Sequence, residues 1–397
     1  MDTRCVTRRT ALKTLAVTSM ATAVDFGFPY VLRAADVVKL GFLSPISGAL
    51  AFVGQSNLNC LRLAVDEMNA QGGIGGHKIE VVVEDTQAST KVSLDKARKL
   101  LLSDKVDAVL GMVLPFEREA ALSVAKQAKK LVFHPNFDEG RCDSNLVATG
   151  LSPSQIVEPF IPWLEKNIGK TLYFIASDLA LNRPVLSRID KALGRVGGKV
   201  VGSEFLPFGT RDFGPTLHKA KAAQPGIVWG DIGDDPITFI KQYHSFGMKP
   251  QFVTRIMHES IAFATDGGSV GALYVAPYFM SGIDTEANRR FRAAYTERYK
   301  EFDPRRVRGF APILPHNEMT YVAARIFGAA VAAAGSTELE KVRAALGKIS
   351  LDAPRGRVRV DPANQRVVSD VLLGRVAADN GVDVVMNFGV VPAECEA

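Results

Sequence analysis

What most limits how this chain folds is an order of strands and helices that occurs twice. An apolar run over 39–43 ends in a loop rich in Ser, Pro and Gly. Leu58, Leu61, Val65 and Met68 then recur at helical spacing and predict one buried stripe. Gly72-Gly73-Ile74-Gly75-Gly76 stops that helix ahead of a strand over 78–84. A helix over 91–102, a strand over 108–111, a helix over 118–129 and a strand over 131–134 follow. The order then returns, with strands over 171–176, 199–205, 227–230 and 251–254 and helices over 184–196, 213–223 and 237–246 between them. Strands separated by helices of this length require right-handed crossovers and parallel sheets. Recurrence on this scale predicts a duplicated lobe, not a short-repeat solenoid. A strand over 273–276 comes next, then helices over 286–299, 318–334 and 338–346, the last behind a capping-box pattern, Thr337-Glu338-Leu339-Glu340. Residues 357–360, 371–376 and 383–386 read as β.

Ligands of open α/β sheets bind outside the carboxyl ends of the strands. The loops expected to carry function are therefore 44–52, 111–117, 134–140, 177–183, 230–236 and 254–260.

The charge is less telling than it first looks. Of the 48 Lys and Arg and 42 Asp and Glu, five basic and two acidic residues fall in 1–35, so the remainder carries 43 against 40, a net +3. That balance gives no reason to expect nucleic acid as a partner. Residues 1–35 hold a basic start and a short apolar run, and Thr7-Arg8-Arg9-Thr10-Ala11-Leu12-Lys13 resembles a twin-arginine export signal. The expectation is a leader over 1–35 that is removed on export to the periplasm. The stretch 319–334 is apolar but contains Arg325 and many alanines, and reads as a packed helix. Beyond the leader stand Cys60, Cys142 and Cys395, which allow at most one internal bridge. Spacing does not say which pair forms, or whether all three are free thiols.

No catalytic pattern in the sequence has the context its chemistry needs. Gly267-Gly268-Ser269-Val270-Gly271 fits the nucleophile-elbow string, but the elbow needs a strand before it and a helix after it, and here a strand follows. A surface turn is expected instead. His258-Glu259 lacks the second His of a metalloprotease helix, the glycines at 72–76 precede a strand, and the six histidines have no metal-ligand spacing. No enzyme, metal or cofactor is expected.

The loop Pro45-Ile46-Ser47-Gly48-Ala49-Leu50-Ala51-Phe52-Val53-Gly54, with Ala64-Val65-Asp66-Glu67-Met68-Asn69, Gly72-Gly73 and the strand ending in Asp85, resembles type I periplasmic solute-binding proteins. These are the ABC-transporter receptors for branched-chain amino acids, short-chain amides and urea. Asp212-Phe213 with residues 219–225, residues 335–346, and residues 352–362 are most similar to the amide and urea branch. The resemblance implies two Rossmann-like α/β lobes with parallel central sheets, joined by three hinge crossovers near Gly150-Leu151, Ala276-Pro277 and 357–360. The lobes would then be 36–150 plus 277–356, and 151–276 plus 357–397. It further implies a monomeric extracytoplasmic receptor that closes on a small-molecule ligand and docks on ABC permease membrane subunits. The alternative is an exported sensor that docks on a receptor or regulator.

The resemblance also marks where this chain departs from its relatives. Ser47 and Phe52 fall in the loop that lines the family's cleft. Where relatives offer Ser or Thr hydroxyls, this chain has Leu114-Pro115-Phe116. Phe137-Asp138 stands in place of an Ala-Thr pair or a Tyr, and Leu179 follows Asp178 where a Tyr is usual. The expected pocket is edged by Phe52, Leu114, Phe116, Phe137 and Leu179. Ser47, His134, Asp138, Asp231, Asp234, Arg255 and His258 are the candidates to fix polar groups. Each has another use: His134 on loop backbone, Asp231 or Asp234 as a helix cap, Arg255 facing outward. Arg255, directly after a strand, is placed to hold a carboxylate bidentately. The expected ligand is an amino-acid-like, apolar or aromatic carboxylate, or an amide.

Overall fold

The structure, a computed structural model, describes residues 37–395; the leader expected over 1–35 lies outside them. The first sheet contains β1 (Val38–Ser44), β2 (Ile79–Asp85), β3 (Ala108–Gly111), β4 (Leu131–His134) and β5 (Leu146–Ala148). Its order is β2-β1-β3-β4-β5 and all pairings are parallel. Helices α1 (Ala51–Ala70), α2 (Thr90–Arg98), continued by a π turn at Lys99–Ser103, and α3 (Pro115–Ala128) make the crossovers. Helix α3 starts where Pro115 removes a donor and the Glu117 carboxylate reaches back to accept from the backbone N–H groups of Val113 and Leu114.

The second lobe starts with α4 (Pro153–Asn167), opened by Gln155, whose side chain accepts from Ser152 N. There follow β6 (Thr171–Ser177), α5 (Asn182–Arg195), β7 (Lys199–Leu206), α6 (Gly214–Ala222), β8 (Ile227–Asp231), α7 (Pro236–Ser245), β9 (Gln251–Thr254), α8 (Glu259–Ala264) and β10 (Leu273–Ala276). The chain then builds α9 (Glu286–Arg298), α10 (Pro315–Ala334) and α11 (Leu339–Leu346). A small antiparallel sheet of β11 (Ser350–Ala353), β12 (Gly356–Val360) and β13 (Val367–Val368) precedes β14 (Asp370–Val376) and β15 (Val382–Val390). The large sheet runs β15-β14-β10-β9-β8-β6-β7, parallel from β7 to β10 and antiparallel beyond. Helix α10 packs into the first lobe, with Phe327 edge-on to Phe133 at 5.8 Å. Among the described residues, no single helix is long and apolar enough to cross a membrane.

The architecture is the two-lobed α/β fold anticipated from the duplicated order. Strands 108–111, 131–134, 251–254 and 273–276 fall at the expected residues. Residues 357–360, expected at the third crossover, belong to β12 of the small sheet, and the chain enters the large sheet only at β14. The capping box expected at Thr337 is absent. Ser336 Oγ accepts from Glu338 N, and α11 starts one residue later than expected. Of the three cysteines, Cys142 and Cys395 are bonded and Cys60 is a buried free thiol.

Two buried ion pairs bind the first crossover. Arg355, paired with Glu318, donates from Nη1 to Thr149 O at 3.0 Å. Arg366, paired with Asp138, donates to Arg141 O at 3.0 Å and Gly150 O at 3.3 Å. Carbonyls that leave the sheet ladder at the crossover are satisfied by side chains from the C-terminal third of the chain. Gly150 is required here, because a Cβ at this position would sit 2.0 Å from Asn136 O.

Candidate functional site

In each sheet the strand order reverses beside its first strand, between β2 and β3 around β1 and between β7 and β8 around β6. The carboxyl ends of these strands face one cavity of about 500 Å³, and all six loops anticipated from the sequence contribute to its lining. Most of the wall is apolar. Phe52, at the start of α1, stacks on Phe302 with ring centroids 5.5 Å apart, and Arg305 stands 5.6 Å over the same ring. Gly54 lets α1 approach the loop after β1 closely, since a Cβ there would meet Pro45 O at 2.0 Å. Leu114, Phe137 and Leu179 also line the cavity.

The polar part of the wall comes chiefly from the segment after β9. Arg255 is buried. Its Nε donates to Asp231 Oδ2 at 2.7 Å and its Nη2 to Asn182 Oδ1, which leaves Nη1 without a protein partner among the described residues. Asp231 also accepts from Trp229 Nε1, Thr254 Oγ1 and Arg255 N, so its acceptor capacity is spent orienting the arginine. His258 Nδ1, Ser260 Oγ and His316 Nδ1 are buried and have no partner among the described residues, and all three residues line the cavity. Burial, reinforced by the nearby His316 and Arg305, holds His258 well below the usual imidazole range; burial lowers His316 to about 4. Both rings are therefore neutral near pH 7, with centroids 6.3 Å apart. Arg305 faces the cavity beside them, its Nε and Nη2 engaged by Asp303. Asp234 lines the cavity but accepts from Ser177 Oγ, Gly209 N and Arg211 Nη1.

Phe52, Leu114, Phe137, Leu179, Asp234, Arg255 and His258, all anticipated from the sequence, are thus gathered on one cavity. Ser47, Phe116, His134, Asp138 and Asp231 are not in its lining. Ser47 donates to Asp85 Oδ2, and Asp138 is the partner of Arg366. His134 lies buried behind the cavity, lowered to about 3 by burial first and by Arg118 and Arg366 next. Asp231 lies beneath Arg255. Arg305 and Leu314, between α9 and α10, and His316, in the first turn of α10, were missed because the strand-end rule does not point to them. Phe208, after β7, was missed too, though a strand-end loop is where the rule would have found it. Ser269, from the rejected elbow string, is buried in the turn between α8 and β10, its Oγ accepting from Thr265 Oγ1 at 2.8 Å. Among the described residues, no group of three or more His, Cys, Asp or Glu is placed to hold a metal.

Comparison with known proteins gives one consistent family. The family described as periplasmic binding protein matches residues 37–381. A Leu/Ile/Val-binding protein homolog of Brucella suis is 25% identical over 395 residues, 94% of each chain. An ABC transporter substrate-binding protein from Sphaerobacter thermophilus superposes with a TM-score of 0.81 at 24% identity, covering 91% of this chain and all of that one. A solute-binding protein of an R. palustris ABC transporter, solved in complex with benzoate, superposes with a TM-score of 0.79 at 22% identity, covering 91% and 98%.

Proposed function

Because the chain belongs to the periplasmic binding protein family, whose members are non-enzymatic ligand receptors, we propose that it is the solute receptor of an ABC importer, selective for a small carboxylate with an apolar or aromatic body. One observation carries this reading. In a mostly apolar cavity lining, the buried Arg255 keeps one terminal nitrogen, and His258, Ser260 and His316 one buried polar atom each, without a partner among the described residues. Unsatisfied buried polar groups are costly, and a ligand that supplies their partners recovers that cost. A carboxylate accepts from Arg255 Nη1, and neutral His258 and His316 and the Ser260 hydroxyl each have a hydrogen to donate. The aromatic and aliphatic wall then takes the rest of the molecule. The benzoate complex of the R. palustris relative supports this class, and the Brucella relative's name makes branched-chain amino acids the obvious competitor.

The mechanism is closure. In this proposal the lobes are residues 36–150 with 277–356, and 151–276 with 357–397; the boundary at 356/357 falls within the small sheet, from which the chain returns to the large sheet at β14. Loops from both lobes line the cavity, so a ligand touching both favours the closed state by its differential affinity. The closed, loaded receptor then docks on the permease. Residues 1–35 are the export leader of this proposal, and the family's extracytoplasmic location agrees with it.

Trp229 provides the test, because its indole donates to the same Asp231 that orients Arg255. The mature protein is titrated with benzoate, 4-hydroxybenzoate, leucine, acetamide and urea while Trp fluorescence and calorimetric heat are followed. Saturable binding of a benzoate, with none of urea, is the expected result. Tight binding of urea or acetamide, and none of any carboxylate, overturns the ligand class.

A further inference from the structure

The Cys142–Cys395 bridge joins parts of the chain that belong to different lobes. Cys142 lies in the loop between β4 and β5. That loop is anchored to the first lobe by Lys126–Asp143 at 2.6 Å and by Asn145 Nδ2 donating to Lys130 O. Cys395 lies in the tail that leaves β15 and runs along the second lobe. There Gln155 Nε2 donates to Val391 O, Glu394 N donates to Ser154 Oγ, and Arg188 pairs with Glu394 at 2.6 Å. The bonded cysteines are 253 residues apart. Beside them the turn between β12 and β13 touches both partners. Gln365 Nε2 donates to Asp143 O and Ser144 O, and Asn364 Nδ2 donates to Ala393 O.

We propose that this disulfide is a fourth connection between the lobes, a strap beside the three chain crossovers that limits how far the cleft opens and that can be released by reduction. Three further observations support it. The strap acts on the cavity wall directly, because Asn136 and Phe137 line the cavity from the same loop that carries Cys142. Between them, Asp138 is held by Arg366, so a displacement of Cys142 is passed along a short, tethered segment. The bridge is also accessible. Cys395 is exposed, Cys142 is half-buried, and both border a cavity of about 570 Å³. Cys60, by contrast, is wholly buried and takes no part.

Release needs a dithiol reductant, such as a thiol–disulfide oxidoreductase. One of its thiolates attacks the exposed Cys395 sulfur, and the Cys142 thiolate leaves and takes up a proton. The reductant's second thiolate then displaces Cys395 from the mixed disulfide, so two electrons pass from the dithiol, which ends as a disulfide.

The test uses the full chain without ligand, so its outcome does not depend on which solute the cavity takes. Small-angle scattering is recorded on the oxidised protein, on the same protein after dithiothreitol and after reoxidation, and on the Cys142→Ser, Cys395→Ser double variant. Hydrogen exchange is followed over 136–145 and 391–395. Reduction is expected to raise the radius of gyration reversibly, with unchanged far-ultraviolet circular dichroism, and to speed exchange in both segments by about tenfold or more. The variant should match the reduced protein. If the variant fails to fold, reduction of the already folded protein decides the matter. Identical scattering and exchange in the oxidised and reduced protein overturn the proposal, as does thiol counting that finds no bridge.

Discussion

Two buried arginine–aspartate pairs, alike in chemistry, have opposite uses. Arg366 donates to both oxygens of Asp138, at 2.8 and 3.1 Å, and its terminal nitrogens also reach the carbonyls of Arg141 and Gly150. Only its Nε lacks a partner, and Arg366 is not in the cavity lining. Arg255 meets Asp231 through Nε at 2.7 Å and keeps Nη1 free at the cavity. One pair turns its donors onto the backbone at a crossover; the other holds a cation in position with one terminal nitrogen free at the cavity. An ion pair's role is thus decided by where its spare donors point, and the residue types alone do not show that.

The largest effect is expected at the first crossover. Arg366→Met leaves Asp138 buried without its counter-ion and should cost about 3–5 kcal/mol of unfolding free energy in urea titrations, with solute affinity of the folded fraction unchanged. A loss under about 1 kcal/mol would mean that the pair does not fasten the crossover. Acid should act next. The unfolded chain takes up protons near pH 6.5 that folded His316 refuses until about 4 and folded His134 until about 3. Stability is therefore complete above pH 6.5 and falls as the pH drops through that window, by about 3 kcal/mol for His316 alone. His316→Gln should flatten the fall above pH 4 and His134→Gln its lower part; denaturation midpoints read across pH check both.

At the cavity, Arg255→Met removes the charged donor, while the hydrogen bonds of Trp229 and Thr254 to Asp231 remain available. Benzoate affinity should fall by about 2–3 kcal/mol in calorimetry, and an unchanged affinity would remove the arginine from the site. Ser260→Ala, which deletes a hydroxyl without a partner among the described residues, should weaken the same ligand by about 1 kcal/mol and leave the melting temperature unmoved. A drop in melting temperature without loss of affinity would give Ser260 a structural role instead.

The strand ends that face the cleft were legible because period and run length report strands and helices directly, and a duplicated order leaves few topologies. The short pieces were not. β5 has three residues, β13 two, and α8 six, too few for any period to register. Residues 357–360 do read as β and form β12, but only their partners assign that strand to the small sheet.

At the site, loop position found Phe52, Leu114, Phe137, Leu179, Asp234, Arg255 and His258 on the cavity. Loop position misplaced Asp138 and Asp231, whose guanidinium partners lie 228 and 24 residues away, and it never reached His316. Local pattern along the chain is enough for the two-lobed α/β order, the loops that meet at the cleft and the apolar character of their tips. Which carboxylates are consumed by arginines, which cavity atoms lack a partner among the described residues, and which of three cysteines form the bridge between the lobes are settled by the packing of the folded chain. Those outcomes depend on distances between residues far apart in the chain, and such distances exist only once the two sheets are packed.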